Sequence, residues 1–152
     1  MKLRLLAAGR LRQAPMREAA SDYADRISRI LPIEVVEVPA SAGGEGRAPA
    51  EESERITRKL RRGARVVLLD ERGRQFSTAQ LSKRIEGWMN SSVDVDLIVG
   101  GAHGVTDALR ERADDLWALS ELTLPHELAR VIALEAVYRA LTVIRNLPYH
   151  HR

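Results

Sequence analysis

The chain has 152 residues, 45% of them hydrophobic and 30% charged, with a net charge of +3 and no cysteine. That length suits one compact unit with a real core, so a single domain over 1–152 is expected. Without cysteine, disulfide scaffolds, thiolate metal sites and cysteine nucleophiles are excluded, and the cytoplasm is the default compartment. The first residues (MKLRLLAAGR) leave only 5–9 uncharged, too short for a signal-peptide core, and no stretch approaches the ~18 apolar residues of a membrane span.

Residues 2–8 (KLRLLAA) alternate weakly and stop at Gly9, which reads as a first strand closed by a glycine turn. Residues 15–31 place Ala19, Tyr23, Ile27 and Ile30 at helical spacing, an amphipathic helix that Pro32 ends. The β-branched run Ile33–Val38 reads as a second strand before Pro39. Residues 41–53 (SAGGEGRAPAEES) are glycine-rich and small, the composition of a mobile loop, with a short helix expected around 51–61. The continuous apolar run 65–70 (RVVLLD) suits a strand buried on both faces. Residues 78–89 return to helical spacing through Leu81, Ile85 and Trp88 or Met89, with Ser77 or Thr78 placed as the cap. A strand over 93–99, a helix over 106–113 and a short strand over 116–119 follow. Strands alternating with helices predict an α/β layered fold, a parallel sheet with helices on both faces.

The last helix, 125–145 (PHELARVIALEAVYRALTVIR), opens with a proline in its first turn. Its apolar residues lie all round the cylinder: Leu128 and Ile132 on one face, with Val131, Leu134, Tyr138 and Leu141 on another. Such a helix must be covered on most sides, and a chain of this size has little left to cover it. A two-fold homodimer packed through this helix is therefore predicted.

Several places could carry chemistry. Gly100, Gly101, Ala102, His103 and Gly104 put three glycines between a buried strand and a helix. Ligands of parallel sheets bind beyond the carboxyl ends of strands, where glycine lets them approach the backbone. The pattern is neither GxGxxG nor a phosphate loop, so a plain tight turn competes with a ligand loop. His126-Glu127 opens a zincin-like motif, but Arg130 occupies the second histidine position and would repel a metal, so no metal site is expected. No GxSxG elbow exists, which disfavours acyl hydrolysis. Glu135 and Arg139, four apart, read either as an ordinary helix-surface ion pair or as a polar pair beside a site. The tail 146–152 gathers Tyr149, His150, His151 and Arg152 behind a proline, in a place where chains commonly fray. Of the 24 basic residues all but Lys2, Lys59 and Lys83 are Arg, the residue suited to phosphate and stacked bases, although a GC-rich genome would produce the same bias.

Taken in order, VGGAHG, LWALSELTLPHELARV and EAVYRALTVIRNLPYHHR resemble the ribosomal RNA large subunit methyltransferase H family, a small member of the SPOUT superfamily of RNA methyltransferases. The resemblance is strongest over 97–152 and stays collinear back to Met1 through IEVVEVPA and LLDERGRQFS. It implies methyl transfer from S-adenosyl-L-methionine to N3 of a pseudouridine in large-subunit ribosomal RNA, with S-adenosyl-L-homocysteine as product. It also implies a homodimer with a deep C-terminal trefoil knot at the cofactor site, which general topology rules would not suggest.

Carried over by position, the resemblance implies a cofactor pocket of Leu69, Gly100, Gly101 and the run Leu119, Ser120, Glu121, Leu122, Thr123 and Leu124. Backbone groups would hold the cofactor while glycines clear space and leucines form apolar walls. Pseudouridine N3 is an imide nitrogen that is mostly protonated at neutral pH, so a base or an electrostatic assist is the catalytic need. The candidates are His150 and Tyr149, reaching a partner subunit's pocket, with Arg139 and Glu135 orienting them or stabilising charge. His126 and Arg130 match the motif and are candidate contacts to RNA phosphate or cofactor. Family members often carry Pro-Glu or Ser-Asn where this chain has Ala102-His103, so those two side chains are not expected to be essential. No RNA-binding module of S4 or OB type is recognisable, so recognition is expected to need an assembled ribosome, with neither membrane nor metal as partner. The competing readings are a non-catalytic ribosome assembly factor with a degenerate pocket and a nucleotide-phosphate binder using the glycine loop. Affinity for the methyl donor separates them.

Overall fold

The computed structural model describes residues 1–151, and Arg152 of the tail lies outside them. In chain order the elements are β1 (Leu3–Ala8), α1 (Ala14–Ser28), β2 (Ile33–Val38), α2 (Gly44–Thr57), β3 (Arg65–Arg74), α3 (Thr78–Asn90), β4 (Val95–Val99), α4 (Asp107–Arg112), β5 (Asp115–Trp117) and α5 (His126–Ile144). All five strands run parallel in one sheet of order β2-β1-β4-β3-β5. The α/β layered expectation is met.

Alternate residues of the central strands feed two cores. Leu3, Leu5, Val67, Val95 and Leu97 face a layer made by α1, α3 and α5, whose Ile27, Ile85, Leu134 and Leu141 are almost fully buried. Leu6, Val66, Leu68 and Ile98 face the opposite layer, closed by Ile56 of α2 and Leu109 of α4. Burial on both faces explains why the start of β3 reads as a continuous apolar run. Each such side chain contributes roughly 1.5–3 kcal/mol.

Helix starts follow their caps. Ser77 closes a capping box with Gln80, and the Thr106 hydroxyl accepts from the Leu109 amide at 3.2 Å. Pro125 stands at the N-cap of α5, one residue outside the helix.

The expected loop over 41–53 is instead most of α2, with Pro49 inside it. Ala48, Glu52, Ser53 and Ile56 recur at helical spacing and are buried. Docking that stripe against the sheet outweighs the weak local propensity of glycine and proline. The strand expected to end at 70 also runs on to Arg74 through an irregularity in which Leu69 and Arg74 both pair with Trp117. Gly73 allows that crowding, because a Cβ there would stand 2.5 Å from the Leu116 carbonyl.

Candidate functional site

Three connections meet at the carboxyl end of the sheet and enclose a cleft of about 570 Å³. The end of β3 supplies Leu69, Asp70 and Glu71; the β4–α4 connection supplies Gly100, Gly101, Ala102 and Gly104. The chain between β5 and α5 supplies Leu119, Ser120, Leu122, Thr123 and Leu124, and His126 closes one side. The volume and mixed lining suit a nucleoside-sized ligand. A second cavity, among Leu3, Leu81, Trp88 and Val137, measures only about 20 Å³, enough for one water.

The glycine loop is built tightly. The Gly104 amide donates to the Gly101 carbonyl at 3.1 Å, and the Thr106 amide donates to the Ser53 hydroxyl at 3.1 Å. Gly101 has no room for a side chain, since a Cβ would stand 2.6 Å from Glu52 Oε1.

Asp70 and Arg110 form a polar wall that motif reading missed. The Arg110 Nε donates to Asp70 Oδ2 at 2.6 Å, and a further nitrogen donates to Asp107 at 2.8 Å. The one available signal was Asp70 itself, the charge that ends the apolar run of β3. Of the sequence-derived pocket residues, all but Glu121 line the cleft. The Ser120 hydroxyl accepts from the Leu122 amide at 3.0 Å, and Glu121 stands exposed in that bend.

The other sequence-derived residues form a second cluster. Two guanidinium nitrogens of Arg139 donate to Glu135 Oε1 at 2.9 and 2.6 Å, and a third lies 3.3 Å from His150 Nδ1. The Tyr149 hydroxyl donates to the same Glu135 oxygen at 3.1 Å, and its ring lies under Arg139 and edge-on to Tyr138. The tail is folded back onto α5, with the Leu147 amide donating to the Thr142 carbonyl at 2.9 Å. Burial raises the Tyr149 phenol above its usual range, and its hydrogen bonds with Tyr23 and Glu135 raise it further. It is therefore a phenol at neutral pH, a donor and not a base. None of these four residues lines the cleft of its own chain.

Arg130 is no surface contact. It is 3% exposed, donates to Glu37 at 2.7 Å and to the Gly9 carbonyl at 2.9 Å, and pins the β1–α1 connection to α5. Glu127 does the same from the preceding turn, accepting from the Arg12 and Gln13 amides. The expectation of an RNA or cofactor contact at Arg130 is corrected to a structural one, because helical phase turns it into the interior.

A family model described as "Predicted SPOUT methyltransferase" matches residues 1–150. The chain belongs to the SPOUT methyltransferase family. Curated relatives agree: proteins called "Ribosomal RNA large subunit methyltransferase H" from Syntrophotalea carbinolica and Thioalkalivibrio sulfidiphilus are 42% and 43% identical, each match covering at least 99% of both chains. Among solved structures, a "probable methyltransferase" from Bordetella pertussis superposes with a TM-score of 0.60 at 16% identity, over 92% of this chain and 94% of that one. That likeness supports the fold alone. A SPOUT methyltransferase requires a methyl donor, and the cleft is large enough for one. Among the described residues no three His, Cys, Asp or Glu are grouped to bind a metal, and no helix is long and apolar enough to cross a membrane.

Proposed function

We propose that this chain transfers a methyl group from S-adenosyl-L-methionine to N3 of a pseudouridine in large-subunit ribosomal RNA, acting in the cytoplasm on assembled ribosomes as a homodimer. The observation that carries the reading is the cleft: the glycine loop and the 119–124 segment, both parts of the matching motif, converge there with Leu69. The full-length relatives bearing the ribosomal RNA methyltransferase name support the substrate class. When bound, S-adenosyl-L-methionine supplies an electrophilic methyl group on its sulfonium.

The residues present fit that donor. Gly100 and Gly101 leave backbone groups open to the cleft, and Leu69, Leu119 and Leu124 provide apolar walls. A knotted C-terminal segment, as the family resemblance implies, would hold 119–124 against the glycine loop. Between the two, the donor is positioned and water is kept out.

The tail cluster assists the acceptor. With Nδ1 facing an Arg139 N–H, the His150 ring carries a proton on Nε2, so the cluster presents donors from His150 and Arg139, while the Tyr149 proton is taken by Glu135. Donors of this kind stabilise the charge that an imide nitrogen spreads onto its flanking carbonyl oxygens when it loses its proton. Glu135 orients Arg139 and Tyr149 through one oxygen, and Arg139 in turn meets His150.

The cluster lies outside the cleft of its own chain, and the partly exposed Leu128, Ile132 and Val143 of α5 flank it along one stripe. A second copy packed on that stripe would bring each tail to the partner's cleft. Net charge is low and the fold small, so the assembled ribosome supplies most of the recognition surface.

The test is transfer of labelled methyl from S-adenosyl-L-methionine to ribosomes from cells lacking this protein, with mass spectrometry of the product nucleoside. N3-methylpseudouridine is the expected product. No transfer to ribosomes, subunits or free RNA, together with no donor binding, would replace the enzyme with an assembly factor.

A further inference from the structure

Glu52 is a carboxylate at 5% exposure on α2, in the segment whose composition reads as a loop. Among the described residues its one hydrogen bond is from the Ser41 amide to Oε2, at 3.3 Å. Burying a carboxylate without a cation is costly, and an apolar side chain of similar length would fill the space without that cost. The oxygens must be used by something nearby. What they meet is the glycine loop: Oε1 and Oε2 stand 2.6 and 3.0 Å from the point where a Cβ on Gly101 would sit. The carboxylate therefore occupies the space of the side chain that Gly101 lacks.

The neighbouring residue engages the other end of the same loop. Ser53 is 3% exposed, and its hydroxyl accepts from the amide of Thr106, the N-cap of α4. Two consecutive buried polar residues of one helix thus grip the loop at Gly101 and at Thr106. Both Gly101 and Gly104 face the cleft, whereas Glu52 and Ser53 do not line it.

We propose that Glu52, seconded by Ser53, is a positioning residue for the methyl-donor loop: it stands behind Gly101 and sets how far the loop backbone lies from the donor. The proposal rests on reading the cleft as the donor site. It also explains a glycine whose backbone φ is ordinary, since Gly101 is required here for close approach and not for a left-handed conformation.

The test has a ligand arm and a ligand-free arm. In calorimetric titrations with S-adenosyl-L-methionine, Glu52→Ala weakens binding about tenfold, while Glu52→Gln, which keeps the shape and one acceptor, stays within about twofold of wild type. Gly101→Ala loses measurable binding because its Cβ meets the carboxylate. The double variant G101A/E52A removes that obstacle and binds at least about threefold more tightly than G101A. In the ligand-free arm, Glu52→Ala accelerates amide hydrogen exchange of 100–106 while α5 amides keep their protection, and Ser53→Ala does so only near Thr106. Wild-type loop exchange in E52A, or a double variant no better than G101A, would overturn the proposal. Failure of the wild type to bind the donor would overturn the functional reading instead, and the exchange arm would still decide the role of Glu52.

Discussion

The two ends of the sheet use buried carboxylates in opposite ways. At the amino end Asp96 has no exposed surface and accepts from Arg4 at 3.0 and 2.9 Å and from the Arg61 amide and Nε at 2.8 and 2.9 Å. Arg61 also ties Asp94 and the Lys2 carbonyl into the network, so Asp96 is held by two guanidinium groups at once. At the carboxyl end Glu52 makes one long hydrogen bond against a glycine loop, Leu122 is 75% exposed, and an open cleft separates three connections. A saturated carboxylate network makes the amino end rigid, and at the carboxyl end the Glu52 carboxylate serves as packing behind a loop that faces the cleft.

That contrast can be broken most severely at Asp96. Asp96→Ala leaves the Arg4 and Arg61 guanidinium groups without their buried carboxylate and should cost about 3–5 kcal/mol, read as a lower urea midpoint. Donor affinity of the remaining folded protein should be unchanged, because the cleft lies at the far end of the strands. A loss of donor binding without a loss of stability would mean the two ends are not independent.

The next effect belongs to the tail. His150→Ala or Arg139→Lys should lower kcat about a hundredfold with little change in donor affinity, as for loss of a donor acting on developing charge. An unaltered kcat would remove that residue from the chemistry.

Arg130→Met tests a boundary between the two regimes, a fully buried cation beside the cleft that serves structure. It should cost about 1–3 kcal/mol of stability by unpairing Glu37 and the Gly9 carbonyl. The salt dependence of ribosome binding should keep its slope, whereas a phosphate contact would flatten it by about one unit.

The smallest effect is acid sensitivity. Burial pushes Asp96 and Asp115 up, but hydrogen bonds from Arg4 and Arg61 to the first and from Arg65 and Arg84 to the second outweigh it and hold both below the usual carboxylate range. A carboxyl lowered in the folded state stabilises above its unfolded value of about 3.9 and loses that contribution as pH falls through the folded one. Urea stability should therefore be flat above about pH 5 and decline below about pH 4, less steeply in Asp96→Asn. A decline centred near neutrality would point to a histidine instead.

The elements most legible in the sequence were those whose pattern is local. The runs of β3 and β4, the Ser77 cap and the long apolar α5 each declare themselves within a few residues. The candidate site was legible where backbone makes it, at Gly100, Gly101 and 119–124, because glycine and a motif mark those positions whatever surrounds them. Asp70 and Arg110 were missed because they come from different connections and matter only as a pair. Arg130 was misread because a charge matching a motif says nothing about which way its helix is turned.

From its sequence alone the chain determined a parallel α/β layering and the strand and helix order, since periodicity and turn chemistry act over one or two turns of chain, while Leu69 and 119–124 were marked as cleft segments by the family resemblance. Only the tertiary structure decided that 44–57 is a helix, that Glu52 stands in the place of a Gly101 side chain, and that the tail cluster sits apart from the cleft of its own chain. Those outcomes depend on burial and on contacts between residues dozens of positions apart, where the gain from filling one core outweighs the preference of any single segment.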